Sequence, residues 1–403
     1  MRRPTIAVVL TAAALSLSSV VLAPAAGAAP SPTRLSHRAT HVCGTAPAGS
    51  AACLAIREDT VTTGGAVANA AKPSATAAPA GLGPADLRSA YALTAATGAH
   101  RTVAIVDAYD APTAEADLAT YRAQYGLPAC TTANGCFRKV SQTGSTTALP
   151  KADAGWAQEI SLDVDMVSAT CPDCGILLVE ARSTSFTDLS AAVKYAASQK
   201  VTAISNSYGG GDSNNATIAA AYDQPGIAVT ASTGDGGYAV SSPASFPTVV
   251  AVGGTSLKKA TTSTRGWTES AWSGAGSGCS TLNAKPSYQT SATSCTGKAT
   301  ADVSAVADPA TGVAVYDSTA YQGTKGWLVF GGTSAASPII ASVYAMAPVT
   351  SGTAAAYTWA HASSLNDVTT GSNGTCTTRV LCTAGTGWDG PTGLGTPRGT
   401  AAF

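Results

Sequence analysis

The chain has 403 residues, only 11% of them charged, and Lys+Arg equals Asp+Glu at 23 each. Nothing in that balance suggests a nucleic-acid or anionic-membrane partner, which would call for a clustered basic surface. The length allows one large domain or two ordinary ones, with a polar surface built mainly from Ser, Thr, Asn and Gly.

Arg2 and Arg3 open an N-terminal segment whose apolar run, 6–22, is broken by Thr and Ser and ends in Ala26, Gly27 and Ala28. This is a cleavable secretory signal over 1–28, which places the mature protein outside the cell. A membrane anchor is the competing reading, but no later stretch approaches the ~20 uninterrupted apolar residues of a spanning helix. Residues 29–80 are rich in Ala, Ser, Thr and Pro and read as a propeptide or linker, ordered only around the Cys43/Cys53 loop.

From residue 81 to the C-terminus the pattern is that of one domain. Helical spacing at 84–93, 114–125, 155–169, 187–199 and 215–223 alternates with short apolar strands at 102–107, 176–181, 201–207, 227–232 and 249–252. Such alternation predicts an α/β fold, a parallel sheet with helices on both faces, whose sites lie at the carboxyl ends of the strands. Residues 255–320 read as irregular, followed by a strand at 327–330 and a helix opening near Ser334. The ten cysteines fall into the couples Cys43/Cys53, Cys130/Cys136, Cys171/Cys174, Cys279/Cys295 and Cys376/Cys382. Five local disulfides are the simplest connectivity for an exported chain. Cys171/Cys174 also fits a redox CxxC or half a zinc site, although no second CxxC or nearby His completes either.

Three short motifs carry the chemistry. In G-G-T-S-A-A-S-P at 331–338 a strand runs into two glycines, then Ser334 at the start of an apolar helix, where free N–H groups favour developing negative charge. Pro338 falls in the first helical turn on this reading. Ser334 is either a nucleophile or a plain N-cap. The four histidines, His37, His41, His100 and His361, offer no motif that would make one of them its base. In E-I-S-L-D at 159–163, Glu159 and Asp163 share a helix face at i and i+4. They are either solvated surface acids or a buried pair that shares a proton and takes one from Ser334 at acidic pH. In S-T-G-D-G-G at 232–237, Asp235 is either a turn residue or, when protonated, a donor to a tetrahedral oxyanion.

Together with A-D-V-S-A-V-A-D-P-A-T-G-V-A-V-Y at 301–316 and the Gly-rich 384–397, these motifs resemble the sedolisin family of serine-carboxyl peptidases over 81–403. The resemblance implies a subtilisin-like fold with Ser334 as nucleophile, Glu159 as general base and then acid, Asp163 supporting Glu159, and Asp235 in the oxyanion hole. It also implies one structural calcium ion on Asp367, Asp389 and the carbonyls of Val368, Gly385 and Gly387, a donor set of hard oxygens that suits calcium. The strand V-A-I-V-D at 103–107 is similar to the one carrying the catalytic Asp of subtilisins proper, but no His-Gly segment follows it. The family usually carries a long folded prodomain, whereas only 29–80 is available here. The expected protein is a secreted, monomeric, acid-acting endopeptidase on protein or peptide substrates, made as a zymogen. The alternative is an inactive peptidase-like scaffold for binding or adhesion.

Overall fold

The computed structural model describes Met1, 35–62, 79–99, 101–289, 293–347 and 352–403. The signal expected over 1–28 and His100 lie outside the described residues. In chain order the strands are β1 (Leu35–His41), β2 (Ala52–Cys53), β3 (Ile56–Thr62), β4 (Thr102–Ala108), β5 (Phe137–Ser141), β6 (Gly175–Ala181), β7 (Ala203–Asn206), β8 (Tyr208–Gly211) and β9 (Ala228–Ser232). They continue with β10 (Ser241–Ser242), β11 (Val250–Lys259), β12 (Trp267–Ala271), β13 (Gly278–Ala284), β14 (Gly297–Thr300), β15 (Val303–Val306), β16 (Val313–Tyr321) and β17 (Thr324–Gly331). The helices are α1 (Pro84–Ala90), α2 (Ala114–Gln124), α3 (Ala154–Thr170), α4 (Phe186–Ser198), α5 (Ala216–Tyr222), α6 (Thr333–Met346) and α7 (Ala354–Ala360).

The central sheet runs β12-β11-β9-β7-β4-β6-β5, with β15 also paired to β11. All its pairings are parallel except that of the edge strand β12 with β11. Consecutive residues of β4 and β6 are buried, as a parallel sheet covered on both faces requires. Helix α6 packs on α3 and runs over β7, β9, β11 and β15, while α4 packs on α5, β4, β6 and β7.

Two helices explain the architecture locally. Asp153 caps α3 by accepting from Gly155 N and Trp156 N at 3.0 Å each, and every residue from Gly155 to Thr170 is buried. A helix sunk this deep is ringed by neighbours; its Asp165 accepts from the Tyr316 amide of β16 at 2.9 Å. Helix α6 is likewise buried from end to end and is pinned to the sheet through Ser337, whose Oγ lies 2.9 Å from Ser205 Oγ and 3.0 Å from Thr230 Oγ1. It opens at Thr333, so Pro338 stands inside the helix and not in its first turn. The missing Pro338 N–H frees the Ser334 carbonyl, which accepts from Ser207 Oγ at 3.3 Å instead.

Residues 255–320 are less irregular than their composition suggests. They hold β12 to β16, and the A-D-V-S stretch turns out to be a structural anchor. Asp302 accepts from Lys298 Nζ at 2.6 Å, from the Ala251 amide at 2.8 Å and from Trp359 Nε1 at 2.8 Å, a buried charge paired on several sides.

The larger correction concerns 29–80. Order is not confined to the Cys43/Cys53 loop, because β1 and β3 form an antiparallel hairpin, β3 joins β17, and β2 joins β8. Leu35–Phe403 is one compact unit, with β2 and β3 paired onto strands that follow residue 81. Backbone ladder bonds to β8 and β17 order a segment whose side chains alone gave no periodic signal. All five local disulfides are formed, Cys171–Cys174 among them, so that CxxC is a staple. No helix among the described residues is long and apolar enough to cross a membrane.

Candidate active site

Ser334 sits in the first turn of α6, behind Gly332. Gly332 has φ +90°, a conformation that only glycine adopts without strain. Ser334 is not a cap. Its Oγ lies 2.9 Å from Glu159 Oε2 and 3.1 Å from the Ser207 carbonyl, so its single proton has two acceptors, one of them a carboxylate. Among the described residues no histidine is bonded to it. His361 is spent elsewhere, with Nδ1 2.8 Å from the Tyr357 carbonyl and its ring stacked on that tyrosine.

Glu159 and Asp163 are fully buried on α3. Burial pushes both carboxyls well up from their ordinary range, and the Asp107 carboxylate at the end of β4 pushes both further. The Ser334 hydroxyl and the Ala55 amide, which donates to Glu159 Oε2 at 2.8 Å, pull Glu159 back down. Asp107 is itself raised by burial, to about 8. Neither of its oxygens, and neither oxygen of Asp163, has a hydrogen-bond partner among the described residues. Three desolvated acids in one corner cannot all ionise and must share protons.

Asp235 follows β9 and reaches the start of α6. Its Oδ1 accepts from the amide and the hydroxyl of Thr333 at 2.8 Å each. Its Oδ2 is buried and unpartnered, and burial raises the carboxyl to about 7. Below that value the acid is protonated, and Oδ2 stands 2.9 Å from where a Cβ on Gly332 would be. Ser232 Oγ, which donates to the Thr333 carbonyl at 2.9 Å, fixes the turn from the β9 side.

The structure therefore brings Ser334, Glu159, Asp163 and Asp235 to one place at the carboxyl ends of β4, β7 and β9. Two members were missed from sequence. Asp107 closes the apolar strand 102–107 and was weighed only for a different chemistry, although an acid ending a buried strand is itself a signal. The Ser207 carbonyl, a backbone acceptor, leaves no mark in a sequence.

The comparisons with known proteins follow that geometry. The pattern of the subtilase family matches residues 145–378, more than half of the chain. The chain belongs to that family. Within the subtilases it stands with the sedolisins. Kumamolisin from Bacillus sp. (strain MN-32) is 29% identical over 368 residues, which cover 81% of this chain and 64% of kumamolisin. The chain thus spans less than two thirds of that relative's length. The structure of Pseudomonas sedolisin, a serine-carboxyl proteinase bound to two molecules of pseudo-iodotyrostatin, superposes with a TM-score of 0.67 at 27% identity, covering 80% of this chain and 96% of that one.

The sedolisin resemblance also directs attention to the C-terminal loop. There Asp367 accepts from Gly387 N at 2.9 Å, and Asp389 accepts from Gly385 N at 3.1 Å and from the amide and hydroxyl of Thr392. Asp389 is buried and raised to about 7, first by that burial, with Asp367 adding to it. Two acids held together by a Gly-rich turn offer a hard cation the donors it prefers, so the residues present fit calcium in kind.

Proposed function

We propose that this sedolisin is a secreted, acid-acting serine-carboxyl endopeptidase. The observation that carries the reading is the 2.9 Å bond from Ser334 Oγ to a buried glutamate in place of a histidine. As Ser334 Oγ attacks a peptide carbonyl carbon, Glu159 takes its proton and then passes it to the leaving amine. Asp163 and Asp107 hold Glu159 by sharing the cluster's protons. Protonated Asp235 donates from Oδ2 to the oxyanion, beside the first-turn amides of α6. Water, deprotonated by Glu159, then releases the acyl group and restores the Ser334 hydroxyl. A histidine base would already be charged in acid, whereas a carboxylate cluster still exchanges protons there.

Calcium, bound by Asp367, Asp389 and the carbonyls of Val368, Gly385 and Gly387, would tie the C-terminal loop without entering the chemistry. Export by a signal over 1–28 and action as a monomer complete the proposal. The test is a pH profile of casein cleavage by the purified chain beside Ser334→Ala. Cleavage confined to acid and lost in the variant is expected. Cleavage retained by Ser334→Ala would overturn Ser334 as the nucleophile, and cleavage at no pH would leave a binding scaffold as the better reading.

A further inference from the structure

We propose that residues 35–62 form a self-inhibiting reactive loop that presents the Leu54–Ala55 peptide bond to Ser334 as its scissile bond. The inference rests on the serine peptidase reading above and goes on to name a processing site and the regulation of that same site.

The segment lies in the site as an added strand, the way an extended peptide joins a sheet edge. Ala52 pairs antiparallel with Gly209 and Cys53 with Tyr208 of β8. Leu54 N donates to the Ser207 carbonyl at 3.3 Å. On the other side, Ala51 N donates to the Thr184 carbonyl at 2.9 Å and Ser50 bridges Ser185, so residues 50–54 run between two backbones.

That lattice fixes where the next peptide bond falls. A Cβ built on Gly332 would sit 1.9 Å from the Leu54 carbonyl oxygen and 2.9 Å from Asp235 Oδ2, so the carbonyl and the unpartnered acid oxygen both crowd Gly332, two residues before Ser334. Ala55 N donates at 2.8 Å to Glu159 Oε2, the very oxygen that Ser334 Oγ reaches at 2.9 Å. The carbonyl side of one peptide bond thus meets the oxyanion donor while its nitrogen meets the group that would protonate a leaving amine. The Leu54 side chain packs against Gly209 of β8, its Cδ1 3.4 Å from where a Cβ on that glycine would stand. The substrate class this implies is a peptide with an apolar residue on the acyl side of the cut.

The same segment is built to stay. Ile56 and Arg57 pair with Gly331 and Phe330 of β17, Val42 N donates to the Ala55 carbonyl at 3.2 Å, and β1 pairs with β3 from end to end. The Cys43–Cys53 bridge closes the loop on the acyl side. Buried Arg57 donates to Gln158 Oε1 at 3.2 Å on α3 and pairs with Asp59 at 2.9 Å.

In the reaction, Ser334 Oγ bonds to the Leu54 carbonyl carbon, the Leu54–Ala55 bond breaks, and the serine proton travels through Glu159 to the Ala55 nitrogen. The hairpin holds that amine beside the acyl-enzyme, at an effective concentration in the roughly millimolar range or above. It can attack the ester and reform the peptide bond before water hydrolyses it. The loop therefore competes with substrate for the site whether cut or whole.

The test follows the purified chain at about pH 4, near ordinary carboxyl pKa values. N-terminal sequencing, intact mass and casein turnover are read for the unaltered chain, Ser334→Ala and the double variant Cys43→Ser/Cys53→Ser. A new N-terminus at Ala55 is expected in the unaltered chain, with both pieces co-eluting, and none in Ser334→Ala. The double variant should be cut to completion and turn over casein about tenfold faster, because an untethered product competes poorly with substrate. Should that variant fail to fold, Leu54→Asp, which puts a charge against Gly209, is expected to raise casein turnover in the same sense. Casein cleavage by a chain whose Leu54–Ala55 bond remains intact, a first cut elsewhere, or unchanged turnover in both variants would overturn the loop while leaving the peptidase standing. A chain that cleaves neither casein nor itself would overturn the peptidase and the loop with it.

Discussion

The corner of Asp107, Glu159 and Asp163 and the C-terminal loop of Asp367 and Asp389 both crowd acids together, and they resolve the crowding differently. In the corner all three carboxylates are sealed from solvent, two of them without a hydrogen-bond partner among the described residues. Protons are then the cheapest neutralising charge, and a proton can be passed on. In the loop Asp389 is buried but Asp367 is exposed, and Gly385 and Gly387 lie toward solvent. Backbone amides already reach both oxygens of Asp389 and one of Asp367, and a cation has a way in from the exposed side. Desolvation without access makes a proton store; desolvation with access makes an ion site.

Ser334→Ala should break the first half of that comparison most severely, lowering casein turnover by roughly 10⁴-fold or more with circular dichroism unchanged. Next in size, Asp235→Ala should lower kcat by about 10²–10³-fold, since it deletes one oxyanion donor. Asp235 is raised to about 7, so the native enzyme should lose rate as pH climbs through that value and the donor proton leaves. In Asp235→Asn the amide keeps both the Thr333 bond and a donor, so that alkaline loss should shrink.

Stability separates the regions further. Asp107, Asp235, Asp317 and Asp389 are raised by burial to between about 7 and 8, so the folded chain binds more protons than the unfolded one from about pH 4 upward. Stability is then fullest below about pH 4 and is lost as pH rises through 7 to 8. The melting temperature should fall by on the order of 10 °C between pH 4 and 8 in calorimetry. The smallest effect belongs to the loop. Chelation at neutral pH should lower the melting temperature by about 5 °C, as expected for loss of a ligand held near 100-fold above its Kd. Asp389→Asn should abolish that response while leaving the pH dependence of turnover in place.

The parallel core was legible because strands such as 102–107 and 176–181 are short unbroken apolar runs, and α3, α4 and α6 keep helical spacing throughout. Ser334, Glu159 and Asp235 were legible because each stands where a Gly-rich turn or an i, i+4 pair gives it a partner. Asp107 was passed over because its role depends on β4 ending beside α3, which no local spacing encodes. The hairpin of β1 and β3 was hidden for a related reason. Its order comes from backbone pairing of β3 with β17, as that of neighbouring β2 comes from β8, and residues such as Gly44, Ala46 and Gly49 carry no period. In 255–320, too, the strands are fixed by side chains far apart in sequence, Asp302 with Trp359 among them.

The most direct test of the central claim, that a buried glutamate serves Ser334 as its base, is casein turnover by Glu159→Gln from about pH 3 to 8, spanning the carboxyl and histidine ranges. The account predicts a folded protein with turnover down by roughly 10⁴-fold at every pH, since the amide can neither take nor return the serine proton. Turnover within a few-fold of the unaltered chain, or one that recovers as pH rises through the histidine range, would contradict it.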